Sequence, residues 1–298
     1  MTMRRALLWG YGILGIIAVL VLWEVYKALG PADGVVVGAV EGERNSGVRI
    51  LPRTNDRSMP HLLAMVTRLF AVTSPGDPTP MWLSVAQAAA VTLGIAAFGL
   101  LLGLIVGSLL ALVMQSWRIA EWGILPWVIL SQTIPLIAFA PVMNSIGVQI
   151  DKTIVPWPQW LSVAIIASYL AFFPIAVGAL RGLQAPERAH VELMRTYAAG
   201  PLTTLRKLRI PAAVPYVLPA LRLAAANAVI GAIVAEVSMS MPGGIGRMII
   251  GLASQASTDP PAPWSPIFGA VAIGLIAAGS VGVLGLILHN YRRGEAAA

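Results

Sequence analysis

Long apolar blocks separated by short polar breaks constrain this chain more than any other feature of its sequence. Of its 298 residues, 57% are hydrophobic and only 11% are charged, whereas a soluble domain is nearer half apolar and a quarter charged. Crossing the bilayer core takes about 20 mostly apolar residues, and blocks of that length recur along the chain. The pattern predicts an all-α integral membrane protein rather than a soluble domain around one large core.

We expect about six transmembrane helices. They are predicted at residues 6–29, 84–114, 123–147, 161–180, 216–238 and 266–288. The first block follows Arg4 and Arg5 and is longer than the apolar core of a secretory signal peptide, so it is expected to be an uncleaved anchor helix. The third block is interrupted by Pro126, Pro135 and Pro141.

The pattern divides the chain into four parts. We assign residues 1–29 to an N-terminal transmembrane helix, 30–80 to an extracytoplasmic loop, 81–290 to a five-helix core and 291–298 to a cytoplasmic tail. The 30–80 loop is rich in Gly, Pro and charged residues, which break regular structure. Apolar residues at near-helical spacing between His61 and Val72 predict a short interfacial helix within it. An irregular extramembrane loop is the alternative.

The basic residues favour one orientation in the membrane. With the N-terminus inside, the cytoplasmic segments hold Arg4, Arg5, Arg118, Arg181, Arg188, Arg195, Arg206, Lys207, Arg209, Arg222, Arg292 and Arg293, and the short external loops hold only Lys152 and Arg247. Lysine and arginine concentrate on the cytoplasmic side of membrane proteins. We therefore expect both termini in the cytoplasm of a multi-pass protein of the inner or plasma membrane. The same rule explains the net charge of +7 better than binding of nucleic acid does.

Small residues recur through the second block. Gly94, Gly99, Gly103 and Gly107 follow one another at spacings of four or five. Such spacing lets two membrane helices approach closely, so these glycines indicate packing and not function.

The polar segment between the fourth and fifth blocks, residues 182–215, carries the strongest functional signal. A helix is predicted over residues 186–197, a break near Ala199–Pro201 and a second helix over 202–208. Pro211 and Pro215 are expected to end that helix and to start the next membrane helix. Charged side chains around apolar ones on such a hinged pair are typical of a surface that docks another protein.

This segment resembles the cytoplasmic loop of ABC importer permeases. The pattern of that loop is Glu-Ala-Ala, three residues, Gly, nine residues, Ile, one residue and Leu-Pro. Here Glu192, Ala198, Leu208 and Ile210-Pro211 stand at its Glu, Gly, Ile and Leu-Pro positions, and Leu193-Met194 replaces the two alanines. The resemblance assigns coupling to an ATPase to Glu192, Leu193, Met194, Arg195, Ala198, Ala199, Gly200, Leu208 and Pro211.

Residues 80–290 are similar to type I importer permeases of the MetI-like fold, in the nitrate, taurine and sulfonate branch. The segments that carry this are Gln132–Ala138, Ala235–Val237 and Gly244–Gly246. Glu192–Ala198 and Ile50–Thr54 resemble permeases for pyrimidine vitamin precursors and riboflavin. The resemblance implies half of a pathway for a small polar solute: such a vitamin precursor, or a sulfonate or nitrate-type anion.

The resemblance also implies the partners. A second permease chain, identical or different, would complete the pore, two ATPase subunits would dock beneath it, and an external binding protein would deliver the solute. The chain has no Gly-x-x-x-x-Gly-Lys-Ser/Thr run to cradle phosphates. We therefore expect no cofactor on this chain, ATP and Mg²⁺ on the partner subunits, and no enzymatic activity of its own.

Polar residues inside the predicted spans are candidates for the solute pathway. They are Ser131, Gln132, Thr133, Ser168, Tyr169, Asn227 and Glu236. Each has an alternative in packing. The first three could satisfy backbone groups freed by Pro135, Tyr169 could lie at the membrane interface, and Asn227 could bond a neighbouring helix. For Glu236 we favour a helix-end ion pair with Arg247.

Metal and nucleophile chemistry find little support. Cysteine is absent and His61, His190 and His289 are far apart. His190 with Glu187 has the spacing of a ligand pair, but a solvated helix face is the better interpretation.

Three rival functions are an ion-coupled secondary transporter, a non-transporting assembly subunit and a membrane-embedded enzyme. The first and third would need ionisable clusters within the spans.

Overall fold

The computed structural model describes residues 2–37, 48–74 and 76–287. Within them lie the α-helices α1 Thr2–Leu29, α2 Leu62–Phe70, α3 Met81–Ser116, α4 Arg118–Ser131, α5 Leu136–Thr153, α6 Gln159–Gln184, α7 Arg188–Thr196, α8 Pro201–Thr204, α9 Ile210–Met239, α10 Ile245–Ala253 and α11 Trp264–Ile287. The short strands β1 Val35–Val37 and β2 Val48–Leu51 form one antiparallel hairpin, and β3 Val72–Ser74 and β4 Asp77–Pro80 form another. A π-helical turn, Leu205–Arg209, joins α8 to α9.

Among the described residues, five helical stretches are long and apolar enough to cross a membrane. They are Gly10–Leu29, Met81–Ser116, Gln159–Gln184, Pro201–Met239 and Trp264–Leu286, and α4 with α5 makes a sixth if that bent pair counts as one span. The prediction of an all-α chain with about six spans is confirmed. The predicted cytoplasmic tail, residues 291–298 with Arg292 and Arg293, lies outside the described residues, as does His289.

The third predicted span is two helices rather than one. α4 and α5 meet at 100° across a break of four residues or fewer. The chain breaks before Pro135, which precedes α5 with extended dihedral angles, because proline disfavours helical geometry in the residue before it. Pro126 and Pro141 lie inside α4 and α5 and do not break them, so the predicted interruptions at these two positions are wrong.

The chain forms two compact units. The first contains Met1–Ser84 and Ile250–Ser265. A helix, α2, is present where the sequence predicts one, and the two hairpins flank it.

Two side chains near the end of α1 hold the segment that leads into α2. Lys27 is 6% exposed, and its Nζ donates to Asp56 Oδ1 at 2.6 Å and to the carbonyl oxygen of Met59 at 2.6 Å. The same ammonium holds the pKa of Asp56 below its ordinary value. Glu24 Oε1 accepts the backbone N–H of Leu62 at 2.7 Å, one of the free donors at the start of α2.

The second unit contains Val85–Ile249 and Pro266–Ala298, and α6 lies at its centre. Buried side chains on α6 are mostly small, including Ala164, Ala167, Ala171 and Ala176. These positions let neighbouring helices approach along its length.

Glycines face α6 from α3. A Cβ built on Gly99 would lie 2.6 Å from Ala167 Cβ, and one on Gly103 would lie 2.9 Å from Ala171 Cβ. One on Gly107 would lie 2.7 Å from the carbonyl oxygen of Phe172. Only glycine permits this approach, because real Cβ atoms do not come so close to their neighbours.

Between α6 and α9 the arrangement is similar. A Cβ on Gly182 of α6 would lie 2.8 Å from Ala213 Cα, and one on Gly231 of α9 would lie 3.0 Å from Ala167 Cα. The spacing of small residues in the sequence therefore corresponds to two helix contacts that share α6.

We expect Gly103→Val to destabilise the protein in detergent, because overpacking a close contact costs about 1–3 kcal/mol. The matched control is Gly94→Val on the same helix, where an added Cβ meets no described atom within 4 Å. Thermal unfolding followed by tryptophan emission should show a lower midpoint for the first variant only. Equal midpoints for the two variants would contradict the packing.

Candidate functional site

The loop between α6 and α9 folds as a hinged helical hairpin. α7 ends at Thr196, the chain turns through residues 197–200, and Pro201 begins α8. Proline is favoured at the first position of a helix, where its missing N–H is not needed. The predicted first helix and the break near Ala199–Pro201 are both present.

A left-handed residue makes the turn after α7. Ala198 has φ of +52°, its N–H donates to the carbonyl oxygen of Arg195 at 2.8 Å, and the N–H of Ala199 reaches the carbonyl oxygen of Met194 at 2.9 Å. This is a Schellman-type helix end, whose left-handed position is usually glycine. Ala198 stands where the resemblance places glycine, and the geometry gives the reason for glycine there.

The second loop helix runs on into α9 and does not end at Pro211 and Pro215, so that part of the prediction is wrong, whereas Pro211 does lie at the start of the next membrane helix. α8 continues into the π turn, where the N–H of Ile210 donates to the carbonyl oxygen of Leu205, and α9 follows at once. Pro211 lies in the first turn of α9, where a missing N–H is tolerated. The wider π turn before it relieves the crowding between a proline ring and the preceding turn.

The loop presents a mixed charged and apolar surface. Of the residues assigned to coupling, Glu192, Leu193, Arg195, Ala198 and Gly200 are exposed, and Met194, Ala199, Leu208 and Pro211 are half-buried. Leu193, Tyr197 and Leu202 expose 52%, 77% and 66% of their surface. Large apolar side chains exposed beside charged ones are typical of a contact surface.

The base of the loop is attached to α6. Arg209 Nη1 donates to the carbonyl oxygen of Leu183 at 3.1 Å, and Gln184 Nε2 donates to Glu121 Oε2 at 2.9 Å. A cavity of about 650 Å³ opens beneath the hairpin, with Arg195 and Leu205 in its wall. The loop is thus fixed at its root and free on its outer face.

Among the pathway candidates, the structure brings together those at the bend between α4 and α5. The Tyr169 hydroxyl donates to the carbonyl oxygen of Ser131, and Gln132 Nε2 donates to Ser131 Oγ at 3.3 Å. The ring of Tyr169 lies 5.2 Å from that of Phe139 and 5.9 Å from that of Phe172, centroid to centroid. The bend is therefore lined by polar groups beside three aromatic rings.

The remaining candidates lie apart from this cluster or pack between helices. Thr133 Oγ1 donates to the carbonyl oxygen of Leu130 at 2.8 Å, so it binds backbone at the bend. Asn227 Nδ2 donates to the carbonyl oxygen of Leu170 at 3.3 Å, which is a bond between α9 and α6. Ser168 is half-buried, and its backbone faces the glycines of α3.

Glu236 does not pair with Arg247, so the predicted ion pair is wrong. Its side chain is fully buried, and Oε2 accepts from Thr92 Oγ1 at 3.0 Å and from the backbone N–H of Gly246 at 2.8 Å. Its Oε1 has no hydrogen-bond partner among the described residues. Arg247 is exposed. The Glu236 carboxylate binds the start of α10 rather than Arg247, because the free N–H groups at a helix start favour a carboxylate.

Sequence reasoning missed Thr92. It is fully buried on α3, and its Oγ1 also accepts the backbone N–H of Ile245 at 2.9 Å. A single hydroxyl in an apolar helix gives little signal, because it can bond its own helix backbone. Gly244 completes this node of Thr92, Glu236 and residues 244–246, since a Cβ there would overlap the Glu236 carboxyl group.

Metal chemistry has no donor set in the described part of the chain. No group of three or more His, Asp or Glu side chains could hold an ion there. His190 Nδ1 and Glu187 Oε2 lie 3.9 Å apart with both side chains exposed. This pair lies on a solvated helix face.

Comparison with known proteins decides the family. Residues 99–293 match the family model described as binding-protein-dependent transport system inner membrane component. The chain belongs to this family. It is a permease subunit of an ABC importer and a multi-pass membrane protein, and the prediction of that class is confirmed.

Individual relatives agree with the family. The permease is 33% identical to the formylaminopyrimidine transport permease protein ThiX of Halalkalibacterium halodurans over 205 residues, which cover 68% of this chain and 76% of that protein. It is 36% identical to a probable ABC transporter permease protein of Haemophilus influenzae over 139 residues, 46% of this chain and 53% of that protein.

A solved structure shares the fold. The crystal structure of an amino acid ABC transporter with histidines aligns with a TM-score of 0.52 and 17% identity, over 71% of this chain and 94% of that one. At this identity the likeness concerns the fold alone.

We expect Ala198→Gly to stabilise the turn after α7 by about 1 kcal/mol, because a left-handed residue with a Cβ is strained. Ala199→Gly is the matched control. Its backbone is outside the left-handed region, so added freedom should loosen the turn instead. Hydrogen exchange at the Ala198 and Ala199 amides should become slower in the first variant and faster in the second. A change of the same sign in both would refute the assignment.

Proposed function

We propose that the 182–215 loop is the element through which a separate ATPase drives this permease. The observation that carries the proposal is the exposed hairpin itself, with Glu192 and Leu193 exposed on α7 and Arg209 bonded to α6 at its root. Family membership implies an ATPase and a solute-binding protein as partners in general terms. ATP and Mg²⁺ would be bound by the ATPase, and the contact surface on this side would be the hairpin.

The root of the hairpin supports a mechanical role. α9 continues from α8 through the π turn without a break, and α6 receives Arg209 at its end. A rigid-body displacement of the docked hairpin would therefore be passed to both helices. Since α6 packs closely on α3 and α9, the packed helices would move together.

Glu192→Lys is expected to reduce solute-stimulated ATP hydrolysis by about tenfold or more, because reversing a charge within a docking surface typically costs over 1.4 kcal/mol. Membrane insertion should be unaffected, since Glu192 is exposed. The measurement uses the purified assembly in proteoliposomes with its binding protein. The control is Glu187→Lys, which makes the same charge change at an exposed position of the same loop, just before α7 begins. Normal stimulation in the Glu192 variant would count against the proposal.

The proposed solute is a small planar heteroaromatic molecule of the pyrimidine-precursor class. The relative named as a formylaminopyrimidine permease supports this choice. So does the bend, where the rings of Phe139, Tyr169 and Phe172 lie beside the polar residues Ser131 and Gln132. Aromatic rings stack on planar heterocycles, and neighbouring polar groups fix the orientation of such ligands. A second permease chain, identical or different, would complete the pathway.

Uptake by the reconstituted assembly tests the solute. We expect a formylated aminopyrimidine to be taken up in preference to riboflavin, nitrate and a sulfonate. Tyr169→Leu should lower uptake by about tenfold, because stacking of a base on a ring contributes about 1–3 kcal/mol, and Tyr169→Phe should keep most of it. Preferred uptake of the sulfonate or nitrate would contradict the pyrimidine proposal and leave the coupling role of the loop untouched.

A further inference from the structure

A groove between α9 and α11 holds a cationic side chain, that of Arg222. It has a volume of about 360 Å³, and Arg222 is the sole polar residue among those that line it. Within the described part of the chain, Arg222 has neither a hydrogen bond nor an ion pair. A guanidinium inside a membrane span is costly unless it meets an anion or water.

The groove is shaped around this side chain. A Cβ on Gly282 of α11 would lie 3.2 Å from Arg222 Nη2, so the glycine gives the guanidinium its place against the helix. Leu218, Leu223 and Val281 supply apolar walls. The site therefore combines one positive group with apolar walls, which is the chemistry of a phospholipid ligand.

The depth of Arg222 agrees with a headgroup. It lies 17 residues before Met239, the last residue of α9, which is about 25 Å along a helix axis. A bilayer core is about 30 Å thick, so Arg222 lies near the end of the span that adjoins the 182–215 loop. Anionic lipids bind basic pockets between helices on the cytoplasmic side, and an arginine fork matches a phosphate.

We propose that this groove binds an anionic phospholipid, with its phosphate on Arg222 and an acyl chain along the walls of α9 and α11. Neutral lipid lacks the net negative charge that would neutralise the guanidinium of Arg222. The site is separate from the residues proposed for the solute and for ATPase docking.

Lipid retention tests the site. The full-length chain, with the subunits that copurify, is reconstituted in equal parts phosphatidylglycerol and phosphatidylcholine and then stripped with neutral detergent. Mass spectrometry of the retained lipid should show phosphatidylglycerol enriched on the wild type. Arg222→Gln should lower the enrichment about tenfold, and Arg222→Lys should lower it less.

Two further variants separate a built site from general attraction. Arg118→Gln removes the same charge from an exposed position and should leave the enrichment unchanged. Gly282→Val keeps all charges and should lower it by displacing the guanidinium, with thermal unfolding measured to establish that the variant is folded.

Three results would overturn the proposal. They are equal retention of both lipids by the wild type, equal losses in the Arg118 and Arg222 variants, and displacement of the lipid by inorganic phosphate. The last result would assign the site to a free anion instead.

Discussion

Close approach of helix backbones along α6 is the contact on which the second unit depends. Within lipid, apolar surface gives helices little reason to associate, so packing of small residues must supply the attraction. Gly99, Gly103 and Gly107 of α3 provide it on one side of α6, and Ala213 and Ala220 of α9 provide it on the other. A side chain added at any of these contacts separates backbones, which forfeits many dispersion contacts at once.

The loop derives its stiffness from these packed helices. Many of its residues, among them Glu192, Leu193 and Tyr197, are exposed. Its root bonds α6 through Arg209, and its second arm is continuous with α9 through the π turn. A solvent-exposed surface on a rigid base suits an element that must bind a partner and transmit its motion to the membrane helices.

Local sequence signals predicted much of this fold, but they did not predict the contacts between residues far apart in the chain. The membrane spans follow from hydropathy, α2 follows from the spacing of apolar residues, and the turn near Gly200 follows from the proline beside it. Pro126, Pro135 and Pro141 look alike in sequence, yet only Pro135 adjoins a break, because packing decides whether a helix continues. One of the two partners of Glu236 is Thr92, 144 residues away, and no local pattern could identify it. The left-handed turn at Ala198 has no local sequence signal, and only the family pattern, which has glycine at this position, pointed to it.

The spacing of the α3 glycines bears on whether α3 could slide along α6. Gly99, Gly103 and Gly107 face Ala167, Ala171 and Ile175, and both series repeat every four residues. A shift of α3 by one turn along α6 that put Gly99 opposite Ala171 would also put Ile95 opposite Ala167, where the close approach needs a glycine, so the end of the glycine series limits sliding in that direction. The bond from Thr92 to Glu236 has no such repeat. One buried hydroxyl therefore fixes α3 against α9, while the glycines fix it against α6.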